Sequence, residues 1–281
     1  MWLALHPKIN QEQGMKWGIA PLLLFISGFI PSMAEASILY GAGYSSKTLY
    51  RLSQTTAQAT PIGVMPQLRD LGSDTRPDSF RLWGTAFSLQ LYRLNPANGA
   101  GTLVGTFVLP TSTDEIRTLA FDTIAGKLYG TSDIDSDLYE INLNTAALTL
   151  IGHVGLSQLG GMGADAAGNL YGIKEDTGGI YLIDKLTAVP TLISTVPVTY
   201  LSDLAFRPED GTLFGITHVG PVETHRSLYT IDLPTGNATR LGYTSQAETN
   251  MAGLAFGPAV PEPVSAMGLI CVMMLLVRRR K

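Results

Sequence analysis

Five copies of one unit fill the middle of this chain. An apolar residue, an aromatic residue and glycine recur as Leu39-Tyr40-Gly41, Leu82-Trp83-Gly84, Leu128-Tyr129-Gly130, Leu170-Tyr171-Gly172 and Leu213-Phe214-Gly215, at steps of 43, 46, 42 and 43 residues. A second motif follows each copy, from Leu49-Tyr50-Arg51-Leu52 in the first unit to Leu228-Tyr229-Thr230-Ile231 in the last. A third follows that, from Thr60-Pro61-Ile62-Gly63 to Thr239-Arg240-Leu241-Gly242, and in the later units a fourth precedes the aromatic one: Leu119-Ala120-Phe121, Met162-Gly163-Ala164, Leu204-Ala205-Phe206 and Leu254-Ala255-Phe256. Four short runs of period-two alternation in each unit of about 43 residues are the signature of a β-propeller blade. Turn residues fall where such a blade needs tight hairpins: Gly126, Gly168 and Asp210-Gly211 between first and second strands, Asn98-Gly99 and Gly236-Asn237 between third and fourth.

The phase of the repeat matters as much as its count. The repeats enter at a second strand (Leu39) and leave on a first strand (Leu254-Ala255-Phe256), so the last strand can complete the first blade. The expected architecture is therefore an all-β, five-bladed propeller over residues 37–258, closed by its C-terminal strand, which leaves no inner edge unpaired. The second unit is the irregular one. Its first-strand motif is degenerate (Leu68-Arg69-Asp70-Leu71-Gly72), and a distorted inner strand is expected there. The only cysteine, Cys271, lies beyond this region, so closure and packing must do what disulfides do in other exported domains.

Both ends of the chain have a different character. Lys16 opens an apolar run to Ile30 that precedes Ala34-Glu35-Ala36, the pattern of a secretory signal peptide with cleavage expected between Ala36 and Ser37. Residues 1–36 are assigned to it, with Met15 an alternative start. At the other end Pro261-Glu262-Pro263 is followed by fourteen uncharged residues, 264–277, and then by Arg278, Arg279, Arg280 and Lys281. As a helix that segment would rise about 21 Å, a marginal transmembrane span, with the basic cluster staying on the cytoplasmic side. The order of Pro-Glu-Pro, short apolar helix and terminal basic cluster over residues 259–281 resembles the PEP-CTERM sorting signal of bacteria that make extracellular polysaccharide. The resemblance implies signal peptidase and exosortase as processing partners, cleavage near Pro261, Glu262 and Pro263, a transient inner-membrane anchor, and a final place at the cell surface or outside it.

Chemistry is sparser. Only 15% of residues are charged, and residues 37–263 carry 13 Lys and Arg against 21 Asp and Glu, a net charge of −8 that argues against nucleic acid as a partner. There is no nucleophile elbow, zinc-binding His-Glu-x-x-His or phosphate loop. The alternating carboxylates Asp133, Asp135 and Asp137 are the candidate metal ligands, for Ca²⁺, because hard cations need several oxygens close together; the glycine and the terminal acid of a full calcium loop are missing. His218 and His225 share a loop without metal-ligand spacing. The repeated Tyr and Phe read as packing between blades. A non-catalytic binding or structural protein of the envelope or biofilm, with extracellular polysaccharide or envelope proteins as partners, is the leading reading, and a metal-dependent propeller hydrolase of lactonase type is the alternative. The expected binding face is the one where the loops of variable length emerge, from strand two to three (131–137, 174–179, 217–227) and from strand four to the next blade (107–117, 153–160, 243–250). Asp114, Glu115, Asp133, Asp135, Asp137, Glu175, Asp176, Glu223 and Glu248 make it acidic.

Overall fold

The computed structural model describes residues 37–111, 113–218, 226–244 and 250–258. The signal-peptide and sorting-signal residues, Ala34, Ala36, Pro261, Glu262, Pro263 and Arg278, Arg279, Arg280 and Lys281, lie outside them, as do Glu223 and Glu248 of the acidic face, and Ser37 is the first described residue. Among the described residues twenty strands form five four-stranded antiparallel sheets. The first blade holds β1 (Ile38–Gly43), β2 (Thr48–Leu52) and β3 (Ala59–Val64). The second holds β4 (Leu68–Asp74), β5 (Arg81–Ala86), β6 (Gln90–Leu94) and β7 (Gly101–Thr106), and the third β8 (Ile116–Asp122), β9 (Lys127–Ser132), β10 (Asp137–Ile141) and β11 (Leu148–His153). The fourth holds β12 (Leu159–Ala164), β13 (Leu170–Lys174), β14 (Gly179–Ile183) and β15 (Pro190–Thr195). The fifth holds β16 (Leu201–Phe206), β17 (Leu213–Thr217), β18 (Ser227–Asp232) and β19 (Asn237–Tyr243). The last strand, β20 (Met251–Gly257), pairs antiparallel with β1 and becomes the innermost strand of the first blade. The five-bladed ring closed by its C-terminal strand is thus what the repeat phase predicts.

The aromatic-Gly motif explains itself in this arrangement. Tyr40, Trp83, Tyr129, Tyr171 and Phe214 are buried and take part in the apolar clusters, one at each of the five seams between neighbouring blades. The glycine beside each aromatic lies under the first residue of the inner strand. A Cβ at Gly84 would come within 2.4 Å of Leu68 Cδ1, and one at Gly130 within 2.8 Å of Ile116 Cγ2, so any side chain would push the two innermost strands apart.

The five inner strands, β20, β4, β8, β12 and β16, follow one another round the axis, each packed on the next. The degenerate motif of the second unit gives a strand no more distorted than the others: β4 has seven residues, with Leu68 and Leu71 in the same buried positions as Ile116 and Leu119 in β8. All five inner strands share a bulge. The pairing register shifts once near the start of each, and the residues opposite the shift are Arg69, Arg117, Gly160, Ser202 and Ala252. A bulge leaves one residue out of the ladder and re-aims its side chain. Here five such residues gather at one end of the axis.

Candidate binding site at the channel mouth

A cavity of about 260 Å³ opens at that end, and all five bulged residues line it. Inner strands begin on the face where the strand two-to-three loops and the blade-to-blade connections emerge, so the cavity lies on the face with the variable loops. Those loops contribute Tyr44, Phe87, Glu175, His218, Arg226 and Asn250 to its wall. A smaller cavity of about 90 Å³ occupies the opposite end of the axis, lined by the later residues of the same five strands, Leu71, Leu119, Met162, Leu204 and Leu254 among them.

Between the two cavities the axis is closed by a pair of acids. One residue after the bulge, the inner strands carry Asp70, Thr118, Gly161, Asp203 and Gly253. Asp70 and Asp203 are 1% and 0% exposed, and their carboxyl groups are within hydrogen-bond reach of each other across the axis. The two glycines make room for them: a Cβ on Gly161 would meet Asp203 Oδ1 at 2.4 Å, and one on Gly253 would meet the Asp70 Cα at 2.9 Å. Asp70 accepts the N–H of Leu71 at 2.7 Å and, from the next blade, that of Leu119 at 2.7 Å. Asp203 accepts the N–H of Leu204 at 2.7 Å and that of Leu254 on the closing strand. Burial pushes the Asp70 carboxyl up to about 7, and burial with the adjacent Asp70 charge pushes Asp203 well above the usual carboxylate range; the backbone N–H bonds oppose both shifts without cancelling them. Both shifts favour a proton held between the two carboxyls, and the pair titrates as a unit.

Above this floor the wall is a chain of ion pairs. Arg69 pairs with Glu115 and with Asp133 Oδ2 at 3.4 Å. Arg117 bridges Asp133 Oδ1 and Glu175 Oε1, both at 2.7 Å, and His218 Nε2 stands 3.9 Å from the other Glu175 oxygen. Arg226 donates to Ser202 Oγ, to the Thr217 carbonyl at 3.1 Å and to Asn250 Oδ1. The loop that carries Asp133 is itself fixed, since the buried Asp114 carboxylate accepts the N–H of Glu115, Asp133 and Ile134 at 2.8, 3.0 and 2.9 Å. On one side of the mouth the Tyr44 and Phe87 rings meet at 5.1 Å, with the Arg69 guanidinium 4.5 Å above the Phe87 ring. On another, Tyr200 meets His218 edge-on at 5.2 Å.

The candidate calcium ligands are not brought together. Asp133 is occupied by the two arginines, Asp135 Oδ2 accepts from Thr111 Oγ1 at 3.4 Å, and Asp137 faces His153 Nδ1 at 3.2 Å and the Tyr139 hydroxyl at 3.4 Å. Among the described residues no group of three or more His, Cys, Asp or Glu side chains is placed to hold a metal ion. The acidic character read for this face is also revised at its centre. Asp133, Glu175 and Glu115 are there, but as counter-ions to Arg69 and Arg117, which lie in the first-strand segments and not in the loops. The signal that could have revealed them is the alignment of Arg69-Asp70-Leu71 with Arg117-Thr118-Leu119 across two repeats.

Comparison with known proteins adds fold and little else. The chain matches no protein-family model and no curated protein sequence. Among solved structures, a chain of a nidogen–laminin complex aligns over 78% of this chain and 98% of its own at 13% identity, with a TM-score of 0.55. A protein of unknown function from Bacteroides thetaiotaomicron aligns over 74% of this chain and 58% of its own at 15% identity, TM-score 0.49. Virginiamycin B lyase from Staphylococcus aureus aligns over 70% and 63% at 12% identity, TM-score 0.44. The first of these is similar in fold, and at that identity the likeness carries no ligand or reaction.

Proposed function

We propose that this protein is an exported β-propeller of the cell surface or extracellular matrix that binds through the mouth of its channel and does no chemistry there. The observation that carries the binding half is the funnel itself. Five strand bulges and several loops from different blades converge on a cavity of about 260 Å³, lined by polar and charged side chains with the Tyr44 and Phe87 rings on one side, a setting in which rigid scaffolds carry binding sites. The alternative, a metal-dependent hydrolase, would use acids on the axis as ligands or bases. Asp70 and Asp203 are the acids on the axis, and each already accepts two backbone N–H groups beneath the floor of the mouth. The cysteine-free region 37–258 makes the binding test direct. With Cys271 changed to Ser, a bulky maleimide on Ala252→Cys at the mouth should abolish retention on native extracellular material, and the same label on exposed Ala166→Cys, at the far end, should not. Equal retention for the two would overturn the mouth as the binding site.

Export and sorting rest on the terminal motifs: signal peptidase acting between Ala36 and Ser37, then exosortase acting at Pro261, Glu262 and Pro263 with Arg278, Arg279, Arg280 and Lys281 as the cytoplasmic stop. One feature of the fold supports the first cut. Ser37 is 4% exposed, and its N–H donates to Glu209 Oε1 at 2.5 Å while its hydroxyl donates to Oε2 at 2.9 Å. Cleavage before Ser37 would turn that amide into an ammonium group already seated on a carboxylate, a charge-assisted bond stronger than the neutral one it replaces. Intact mass of protein from the cell surface should therefore start at Ser37. Glu209→Gln should lower the Tm of the cleaved form by roughly 2–4 °C and that of the uncleaved chain by less. Equal losses would remove the support that Ser37 gives to this site.

A further inference from the structure

The phase of the repeat decides where the chain leaves the ring. A chain that enters a blade as its second strand and returns as its first enters and leaves at the end of the axis where tight hairpins join those two strands. β20 starts beside Ala252 in the mouth wall and reaches Phe256 at the far cavity, and Gly257 pairs there with Ile38. Ser37 and Pro258 therefore sit on the hairpin face, opposite the mouth. The first-to-second strand turns at Thr123, Ala166 and Pro208 line the far cavity and mark the same face.

The stretch that follows is short. Five residues, 259–263, separate Pro258 from the apolar segment 264–277, and fully extended they carry the chain about 20 Å at most. Pro258 is next to the axis, because β20 is the innermost strand of its blade. To bring the mouth against a membrane the chain would have to run outward across a four-stranded blade, about 14 Å at the usual strand spacing, and then along a seven-residue strand, about 20 Å more. Such a tether does not reach. It reaches a membrane that lies under the hairpin face or, at full stretch, one beside the rim of the ring.

The hairpin face carries side chains suited to lipid. Leu186 and Ile124, 87% and 71% exposed, stand at the tips of adjacent hairpins of the fourth and third blades. Asp184 Oδ1 accepts the N–H of Leu186 and of Thr187 at 2.8 and 2.9 Å, and Asp122 Oδ1 accepts those of Ile124 and Ala125 at 2.9 and 3.0 Å. Lys185 Nζ pairs with the other Asp122 oxygen, which ties the two turns together with their apolar tips outward. At the place of Leu186 the other blades carry Thr55, Ala97, Asn144 and Pro234, so the hairpin itself does not call for leucine. Apolar side chains on a domain already tethered to a bilayer gain free energy by entering the headgroup boundary. We infer that, while the tail holds the chain in the membrane, the hairpin face lies against the lipid surface with Ile124 and Leu186 among the headgroups, and the mouth points away from it. This rests on the reading of residues 259–281 as a sorting signal with a transmembrane helix, and adds which face meets the membrane.

The experiment uses the full chain with Cys271→Ser and one new cysteine, labelled with a fluorophore and reconstituted in vesicles of phosphatidylethanolamine and phosphatidylglycerol that contain a nitroxide headgroup lipid, a short-range quencher. Ala166→Cys reports the hairpin face, Ile134→Cys the mouth face, and Thr102→Cys, Thr149→Cys and Thr239→Cys the rim at the second, third and fifth blades; all five positions are exposed. The Ala166→Cys label should be quenched about threefold more than the Ile134→Cys label, which stands about 20 Å farther from the headgroups, and more than any rim label. Ile124→Ser with Leu186→Ser should reduce quenching at position 166 about twofold, because the face loses its hold on the lipid. A chain that an alkaline wash strips from the vesicles would overturn the anchor and this inference with it. A chain that stays, with the mouth label or a rim label quenched as strongly as that at position 166, would overturn the orientation and leave the anchor standing. Unchanged quenching in the double serine variant would overturn the lipid contact of Ile124 and Leu186.

Discussion

Removing residues 254–258 should leave a chain that does not close and that aggregates, whereas stopping after Pro263 should leave the melting temperature of the domain unchanged. β20 is the inner strand of a blade whose other three strands come from the far end of the chain. It pairs with β1 from Ile38 to Gly43 and packs between β4 and β16. The deletion takes Leu254 and Phe256, each 2% exposed, out of the seam between the fifth and first blades. It also removes the carbonyl of Phe256 that accepts from Ser73 Oγ at 2.6 Å and the Leu254 N–H that Asp203 needs. Two large apolar side chains, with the buried Asp203 carboxyl and the half-buried Ser73 hydroxyl each left short of a partner, come to about 5 kcal/mol, a sum as large as the whole stability of a marginal domain. The newly bare edge of β1 then offers unpaired backbone to other chains. Size-exclusion chromatography and thermal melting of the two truncations check this, and equal melting temperatures would show that the ring does not depend on its closing strand.

The parts of this molecule that repeat were legible in the sequence, and the parts that break the repeat were not. Tyr40, Trp83, Tyr129, Tyr171 and Phe214 each recur with a glycine because the same seam recurs five times, and closure follows from where Leu39 and Leu254 fall in the unit. The site is different. Asp133, Asp135 and Asp137 look like one cluster in the sequence, but successive side chains of a loop entering a strand point to different neighbours, so each finds its own partner. The partners of Asp133 come from 16 and 64 residues away, on β8 and β4. Arg69 and Arg117 reach it because a bulge re-aims them, and a bulge leaves no mark in a period-two pattern. Asp70 was hidden by the same degeneracy that made the second unit look distorted. The departures from the consensus at Arg69 and Asp70 are where that strand supplies the mouth with a charge and the axis with an acid, in line with the expectation that local rules are broken at sites with another task.

The Asp70–Asp203 pair should make the domain less stable as pH rises. A carboxyl whose folded-state value lies above its unfolded value binds a proton in the native state that the unfolded chain has released, so unfolding is favoured by raising pH across the interval between the two. With Asp70 pushed up to about 7 and unfolded aspartate near 4, stability should fall from about pH 4 through about pH 7, with Asp70 contributing roughly 4 kcal/mol and Asp203, which is raised as well, adding to the fall in the same direction. Ordinary ion-paired acids act in the opposite sense and at lower pH, which separates the two contributions in a melting curve. Asp203→Ala should shrink the fall by removing the contribution of Asp203, and what remains is that of Asp70, which burial still holds high. It should also lower the Tm by about 10 °C at pH 5, since the Leu204 and Leu254 N–H groups lose their acceptor in a site that water does not reach. Asp203→Asn should fall between, because the amide oxygen can accept only one of those two N–H groups in place of the carboxylate's pair, yet its NH₂ can still donate to Asp70 across the axis. Thermal melts of the three proteins from pH 4 to pH 8 read all of this at once. A wild-type Tm that rises over that interval, or an Asp203→Ala profile parallel to the wild type, would mean that the acids do not share a proton and that the axis is closed by packing alone.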